Sequence, residues 1–278
     1  WDHSEKFYVP NFDRIQHNEM VCKINLFDSG YTFVSGHEID GRVLFPATGY
    51  LYLAWKLAMH QNQVLFNNLD VEFEDVKFLR ACNIAKDQTV ELIVIIHRGT
   101  GRFEVNEGKN ALATGIVRCT DNAKLTPIEE NEDSDAELGP RDFYKELRLR
   151  GYHYKNIFKS VVSAKMNGSG GKIKWKDNWM SFLDCLLQLQ IIAKDTRSLA
   201  LPTAIRRIVI KTKEHLKAVN EADDKIMTAH YSHDLNMIRC GGVEIRGLNA
   251  HAVGRRLPPG LPVLESYRFM PHFPSSML

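Results

Sequence analysis

The chain has 278 residues, of which 44% are hydrophobic and 25% charged, and its formal net charge is +2. This composition is typical of a globular protein with a sizeable core, and the charge excludes the strong positive field used to bind nucleic acids or membrane surfaces. No apolar run approaches the roughly 20 residues that span a bilayer. The polar N-terminus, without an initiating Met, indicates a piece of a longer polypeptide.

Cysteine usage indicates the compartment. The five cysteines are scattered along the chain and include no Cys-x-x-Cys pair. This pattern favours neither a disulfide framework nor a structural zinc site. We therefore expect no metal, and a reducing, cytoplasmic location.

The first part of the chain alternates β-rich runs with one helix. Strands are predicted at 7–9, 21–26, 31–34, 71–79, 90–97, 103–105 and 111–118. The helix from Pro46 to about His60 is apolar on nearly every side, which is typical of a buried helix. Residues 1–118 are therefore predicted to form one unit, a sheet wrapped around this helix.

The second part repeats this order after an acidic stretch that has no aromatic residue. Such a stretch is typical of a linker, which we place at residues 119–140. Residues 141–278 are predicted to contain a short helix at 142–147, a hairpin at 161–175, a second apolar helix at 180–192, and strands at 204–210, 225–231, 235–240 and 243–248. The sequence therefore predicts an α+β fold with a duplicated plan.

A histidine stands at the junction between a predicted strand end and the first helix. His37 is followed by a tight turn at Gly41, where glycine tolerates unusual backbone angles. Pro46 then suits the first helical position, because its missing N–H would have no partner there. His37 is either a general base or a histidine that is simply satisfied in the core.

The second helix carries a carboxyl group among large apolar side chains. Burial disfavours the charged form of Asp184 unless a partner is present. Gln188, one turn further along the same face, can hydrogen-bond it. A protonated carboxyl group oriented by an amide suits general-acid work, whereas a polar residue bridging to core backbone is the alternative. Since His37 and Asp184 occupy matching elements of the two halves, we expect a base and an acid facing one site.

These residues resemble a known family. The pattern His37-x-x-x-Gly41-x-x-x-x-Pro46 is similar to the signature of dehydratase domains from animal fatty acid synthases, insect ones included, and from modular polyketide synthases. Asp184-x-x-x-Gln188 resembles the second motif of that family. Further similarity lies at 40–51, 178–184, 201–203 and 262–265. One departure occurs in the family loop Gly-Tyr-x-Tyr-Gly-Pro-x-Phe, in which Lys155-Asn156 replaces Gly-Pro.

The resemblance implies a double hotdog fold, in which two antiparallel sheets each wrap around one buried helix. It also implies dehydration of a (3R)-3-hydroxyacyl thioester to a trans-2-enoyl thioester, with His37 as base and Asp184 as acid. Gln188, Gly41, Pro46 and Tyr154 would support the reaction, and Val43, Leu44, Phe45, Tyr152 and Phe158 would bind substrate.

The implied partners follow from the way this family carries its substrate. The acyl group would be attached to the phosphopantetheine of an acyl carrier protein domain, and no intrinsic cofactor is expected. The remaining partners would be the other domains of a parent synthase, which is expected to be dimeric. Neither nucleic acid nor membrane is an expected partner.

Other interpretations remain open. The chain could be a hotdog thioesterase, in which a helix carboxylate activates water, or a non-catalytic scaffold domain of a synthase. The basic run formed by Arg206, Arg207, Lys211, Lys213 and Lys217 is either a solvated strand end or a docking patch for an acidic carrier protein. Residues 168–171 predict a hairpin turn rather than a nucleotide site, and residues 230–234 predict a surface segment rather than a metal site.

Overall fold

The computed structural model describes residues 14–16, 18–28, 30–64, 68–127, 136–194, 196–256 and 266. Three sequence features lie outside the described residues: the strand predicted at 7–9, the motif at 262–265 and most of the acidic stretch, 128–135.

Among the described residues, the N-terminal half contains one α-helix and eight strands. The strands are β1 (Arg14–Gln16), β2 (Glu19–Ile24), β3 (Glu38–Ile39), β4 (Arg42–Val43), β5 (Asp70–Phe78), β6 (Val90–His97), β7 (Arg102–Glu107) and β8 (Asn110–Thr120). Helix α1 (Ala47–Gln61) buries 12 of its 15 residues, so the prediction of a buried helix is confirmed. Pro46 caps α1 from outside with extended backbone, and Ala47 takes the first helical position that we expected for Pro46.

The strand predicted at 31–34 is wrong. A 3-10 helix spans Thr32–Gly36 instead. The carbonyl oxygen of Asp28 accepts hydrogen bonds from the backbone N–H of Tyr31 and from both the N–H and the hydroxyl of Thr32. These local bonds give the backbone an alternative to a strand ladder, and they override the strand preference of the aromatic and β-branched residues here.

In its described part, the C-terminal half adds seven strands and three α-helices. They are β9 (Glu137–Leu138), α2 (Pro140–Arg150), β10 (Val161–Lys165), β11 (Gly170–Lys174), α3 (Trp179–Ile192), β12 (Ala200–Ile210), α4 (Thr212–Glu221), β13 (Ile226–Ser232), β14 (Met237–Cys240) and β15 (Val243–Ala252). The second buried helix is confirmed as α3, and β10 and β11 form the predicted hairpin. Sequence analysis missed α4, whose buried Thr212, His215 and Val219 recur at helical spacing.

One continuous antiparallel sheet joins the two halves. Among the described residues it has 13 strands in the order β1-β2-β6-β7-β8-β5-β12-β15-β14-β13-β11-β10-β9. The halves meet where β5 pairs with β12, for example Phe73 with Ile208. The fold is the predicted double hotdog, with the difference that the two sheets merge along this seam.

The two buried helices pack against each other beneath the sheet seam. The Thr48 hydroxyl on α1 donates a hydrogen bond of 2.9 Å to the Met180 carbonyl on α3. The rings of Trp55 and Trp179 meet edge to face with centroids 5.2 Å apart, a favourable aromatic geometry. The helices thus bring the N-terminal end of α1 close to the first turns of α3, where Asp184 lies.

The described part of the predicted linker is fastened to the sheet. The backbone N–H and the hydroxyl of Thr126 donate to the carboxylate of Glu244, at 2.6 and 3.2 Å. Arg239 donates to the Thr126 carbonyl at 2.9 Å. Since Glu244 is only 1% exposed, these donors compensate the desolvation of its carboxylate. Strands overlap both ends of the predicted 119–140 linker, because β8 reaches Thr120 and β9 begins at Glu137.

A fully buried histidine lies where α4 packs on α3. The ring of His215 contacts the rings of Trp175, Trp179 and Phe182, with centroids 4.6 to 5.0 Å away. Burial among these rings lowers the pKa of His215 from 6.5 to about 3, with the nearby backbone of Cys240 opposing the shift. The native state therefore holds this imidazole neutral in an aromatic box.

The stability of the chain is expected to fall on mild acidification, and His215 should account for part of the fall. Between about pH 6.5 and about pH 3, His215 binds a proton in the unfolded chain but not in the native state. The free energy of unfolding therefore decreases as the pH drops through this window. Urea unfolding at neutral pH and at about pH 5 measures the effect.

The matched variants are His215→Phe, which should flatten this pH dependence, and His60→Phe at the exposed end of α1, which should preserve it. A His215→Phe protein that loses stability on acidification as steeply as the wild type would contradict the assignment.

Candidate active site

A tight turn directs the chain from His37 to the start of α1. Asp40 and Gly41 both have positive φ, 49° and 75°, which is the geometry of a type I′ hairpin turn between β3 and β4. The Leu44 N–H then donates to the His37 carbonyl at 3.2 Å. The sequence prediction of a tight turn at Gly41 is confirmed.

The imidazole of His37 is held in one orientation. Its Nδ1 lies 2.8 Å from the Leu44 carbonyl oxygen, which can only accept a hydrogen bond. We therefore assign the proton of the neutral ring to Nδ1, which leaves a lone pair on Nε2. The ring packs between the rings of Tyr154 and Phe158, with centroids 5.5 and 5.2 Å away. His37 is only 5% exposed.

The carboxyl group of Asp184 faces this Nε2. The Asn178 side chain caps α3 by accepting from the Ser181 N–H at 2.9 Å, and Asp184 follows in the second turn. Its Oδ1 lies 3.5 Å from His37 Nε2. Sequence analysis expected these two groups to meet at one site, and the structure brings them together.

An amide orients the same carboxyl group. Gln188 Nε2 donates to Asp184 Oδ2 at 2.8 Å and to the Phe158 carbonyl at 3.0 Å. Gln188 is fully buried, so its donor hydrogens have no competing water. Because Oδ2 is engaged by the amide, Oδ1 is the oxygen presented to His37.

The loop that departs from the family pattern is paired with the segment that carries His37. Backbone hydrogen bonds of 2.7 to 2.8 Å join Asp40 to Gly151, His153 to Glu38, and Lys155 to Gly36. The Lys155 ammonium group also forms an ion pair of 2.5 Å with Glu38. Asn156 adopts a φ of 51° and begins the 3-10 helix Asn156–Phe158. The Lys155-Asn156 substitution thus coexists with a loop held against His37.

Tyr152 and Tyr154, two stacked tyrosines of this loop, differ in the environment of their hydroxyl groups. The rings of Tyr152 and Tyr154 are nearly parallel with centroids 5.8 Å apart. The Tyr152 hydroxyl donates to the Ala200 carbonyl and accepts from the Ala200 N–H, so it is hydrogen-bonded to the backbone of β12 both as donor and as acceptor. Burial above all, with the Asp184 carboxylate adding to it, raises the pKa of Tyr154 well above its ordinary value. The Tyr154 hydroxyl therefore remains protonated and can donate.

A largely apolar cavity of about 190 Å³ contains both titratable groups in its wall. The predicted site residues that line it are His37, Asp184, Leu44, Phe45, Tyr152 and Tyr154. The exposed side chains of Leu79, Arg80 and Val253 border its mouth. An apolar pocket with a few convergent polar groups is the usual form of a small-molecule site.

Five predicted site residues do not line the cavity, and one of them is Gln188, which lies behind the Asp184 carboxyl group. Val43 lies in β4, and Phe158 packs its ring on His37 and gives its carbonyl to Gln188. Gly41 lies in an exposed turn, and Pro46 caps α1. Val43 and Phe158 thus lie outside the cavity lining, and their contact with a substrate stays a prediction.

Sequence analysis missed much of the lining. The residues it did not select are Ile39, Ala47, Tyr50, Phe78, Leu79, Arg80, Ala81, Leu187, Ile191, Leu201, Pro202, Thr203 and Val253. Leu187 and Ile191 lie three and seven residues after Asp184, so helical spacing could have identified them. Ala47 and Tyr50 lie in the first turn of α1, and the others lie at or near strand ends whose proximity depends on the sheet seam.

Two further predictions concern membranes and metals. None of the helices in the described residues is long and apolar enough to cross a membrane. No group of three or more His, Cys, Asp or Glu side chains in the described part of the chain could hold a metal ion, residues 230–234 included.

Comparison with known proteins finds similarity to polyketide synthase dehydratase domains over part of the chain. A family model described as polyketide synthase dehydratase domain matches residues 11–107. The lovastatin nonaketide synthase mokA of Monascus pilosus is 28% identical over 214 residues, which cover 59% of this chain and 7% of that protein. The polyketide synthase component of lovastatin nonaketide synthase from Aspergillus terreus is 24% identical over 229 residues, 61% of this chain and 7% of that protein. The chain thus spans a small fraction of these relatives.

Solved structures show the same fold. The dehydratase domain from the CurK module of curacin polyketide synthase has a TM-score of 0.65 at 19% identity, covering 88% of this chain and 96% of that one. The dehydratase domain from the CurF module has a TM-score of 0.66 at 16% identity, covering 89% and 99%. The chain therefore has the double hotdog fold of polyketide synthase dehydratase domains and is similar to them in sequence.

Replacing Gly36 by alanine is expected to detach the paired loop. A Cβ atom at Gly36 would lie 2.5 Å from the Lys155 carbonyl oxygen, so the two segments must separate. We expect a loss of about 1–3 kcal/mol in the free energy of unfolding, together with faster amide exchange at His153 and Lys155. Urea unfolding and hydrogen exchange measure the two effects.

The control for this prediction is Gly99→Ala, because a Cβ at Gly99 meets nothing within 4 Å. If Gly36→Ala keeps the exchange protection of His153 and Lys155, the loop does not depend on this close approach.

Proposed function

We propose that this chain is a hydro-lyase that dehydrates (3R)-3-hydroxyacyl thioesters to trans-2-enoyl thioesters. The observation that carries the proposal is the 3.5 Å approach of His37 Nε2 to Asp184 Oδ1 in the wall of an apolar cavity. Two similar solved structures support it, since they are described as inactive mutants of the CurK dehydratase, one with His changed to Phe and one with Asp changed to Asn.

His37 acts as the base through Nε2. Because Nδ1–H is committed to the Leu44 carbonyl, the Nε2 lone pair points into the site. It removes a Cα proton that the thioester carbonyl has made acidic. The electron pair of the broken C–H bond forms the Cα–Cβ double bond, and the Cβ–O bond breaks. A neutral imidazole suits this step because its Nε2 lone pair can accept the proton.

Asp184 acts as the acid in its protonated form. It donates its proton to the departing β-hydroxyl group, which leaves as water. The Gln188 amide fixes the carboxyl plane while the proton moves. After the reaction His37 carries the Cα proton and Asp184 has lost one, so transfer between Nε2 and Oδ1 restores the starting state.

The charge that develops on the thioester oxygen needs a donor. Gly41, an expected contributor, lies in an exposed turn outside the cavity. The first turn of α1 is better placed, because Ala47 lines the cavity and early helical N–H groups lack intrahelical partners. Tyr154, whose hydroxyl stays protonated, supplies a second donor toward the substrate.

The substrate is expected to arrive on the phosphopantetheine arm of an acyl carrier protein domain, so the reaction needs no intrinsic cofactor. A multidomain parent is supported by the relatives, of which the chain spans only 7% of the length. The resemblance at 40–51 favours an animal-type fatty acid synthase. The similarity to fungal polyketide synthases makes polyketide synthesis the alternative. A dimeric parent and a cytoplasmic location complete the proposal.

Removing either titratable group is expected to abolish most of the activity. His37→Ala and Asp184→Asn should each lower kcat/KM by about 10²–10⁴-fold, because each supplies a proton transfer in the transition state. The assay follows enoyl absorbance and free thiol with (3R)-3-hydroxybutyryl pantetheine as substrate. His60→Ala and Asp223→Asn, both at exposed positions, serve as controls.

The same assay separates the competing functions. Release of free thiol without enoyl product would identify a thioesterase. Formation of neither product would indicate a non-catalytic scaffold domain. Dehydration at the wild-type rate by His37→Ala would refute the proposed mechanism.

A further inference from the structure

A groove of about 1130 Å³ lies beside the cavity, lined by the last turn of α1 and by β5, β7, β8, β12 and β15. The groove and the cavity share two strands, β5 and β12. Lys77 and Ala204 line the groove, whereas Phe78 and Thr203, the adjoining residues in sequence, line the cavity. A partner bound in the groove would therefore contact the strands whose ends line the cavity.

The cations of this groove are available to a partner. Lys77, Arg98, Arg102 and Arg206 are exposed, and none forms an ion pair with another described residue. Arg118 is paired with Glu74, and Asp75 and Glu104 are the acidic residues in the lining. Arg80 adds a further exposed cation at the cavity mouth. Among the described residues, the four unpaired cations outnumber the two carboxylates of Asp75 and Glu104, so the groove carries an excess of positive charge.

The basic run selected from the sequence behaves differently. Arg207 is paired with Glu72, Lys211 with Glu214 and Lys217 with Glu221. These carboxylates largely neutralise the run, which lies on β12 and α4. Of its five members only Arg206 also lines the groove.

Irregular strand pairing explains why Arg206 reaches the groove. The register of β5 with β8 shifts between Glu74 and Lys77, and Asp75 there has a φ of 49°. Opposite Arg206 on β15, Gly247 has a φ of 71°, and a Cβ on it would lie 2.7 Å from the Arg206 Cβ. Gly247 leaves space for the Arg206 side chain. The irregularly paired strands therefore place a positive charge in the groove.

We infer that this groove docks an acidic carrier protein while its acyl arm enters the cavity. The inference rests on the proposed function, which requires a carried thioester at the mouth. Four unpaired cations on one rim match an acidic protein surface, and such rim charges mainly steer encounter. A nucleic-acid backbone fits less well, because its dense phosphate charge needs a larger positive excess than a chain of net charge +2 provides.

Charge reversal in the groove tests the inference. The probe is a fluorescently labelled bacterial acyl carrier protein that bears (3R)-3-hydroxybutyryl-phosphopantetheine, titrated with the 278-residue chain at low salt. The double variant Arg98→Glu, Arg102→Glu should raise the Kd by about tenfold. The control variant Lys213→Glu, Lys217→Glu makes the same charge change on α4 and should leave the Kd within about twofold. High salt should erase the difference.

The outcomes separate docking from catalysis. The groove variant should dehydrate (3R)-3-hydroxybutyryl pantetheine, which has no carrier protein, as fast as the wild type. The docking surface would be overturned if the groove variant bound the carrier protein as tightly as the wild type. It would also be overturned if both double variants lost carrier affinity equally, or if the groove variant lost activity on the carrier-free substrate. If the wild type dehydrates neither substrate but the groove variant alone loses carrier affinity, the docking surface stands and the proposed function fails.

Discussion

The site depends on a backbone pairing between the two halves of the chain. Residues 36–40 and 151–155 run antiparallel and exchange hydrogen bonds, so the segment carrying His37 and the loop carrying Tyr154 are fixed relative to each other. This pairing adds to the seam between β5 and β12 and to the packing of α1 on α3. His37 from one half can meet Asp184 from the other because these three connections define one relative position of the halves.

The way in which His37 and Asp184 face each other follows from the hydrogen bond that each side chain makes on the side away from the other. The Leu44 carbonyl determines which His37 nitrogen carries the proton, and the Gln188 amide determines which Asp184 oxygen faces the base. Both orienting groups are buried, so water does not compete for them. The reactive atoms are thereby left facing each other without a stronger partner. Pre-organisation of this kind reduces the reorganisation needed in the transition state.

Much of the fold could be predicted, because its strongest signals are local. Two helices that are apolar on all sides and strands that alternate are visible in composition and periodicity, and both helices are confirmed. The 3-10 helix at Thr32–Gly36 was missed because hydrogen bonds to one carbonyl override strand preference. The contact of His37 with Asp184 was expected from resemblance and duplication, but most cavity residues come from distant strand ends. No local pattern reports that proximity.

The seam between β5 and β12 has a consequence for either half taken alone. It pairs residues about 135 positions apart, such as Phe73 with Ile208, so forming it requires closure of a long loop, which slows folding. A half expressed by itself would expose a nine- or eleven-residue strand as an unpaired sheet edge. Edges of that length recruit other strands, so an isolated half would tend to associate with itself through this strand. The duplicated architecture is therefore one folding unit.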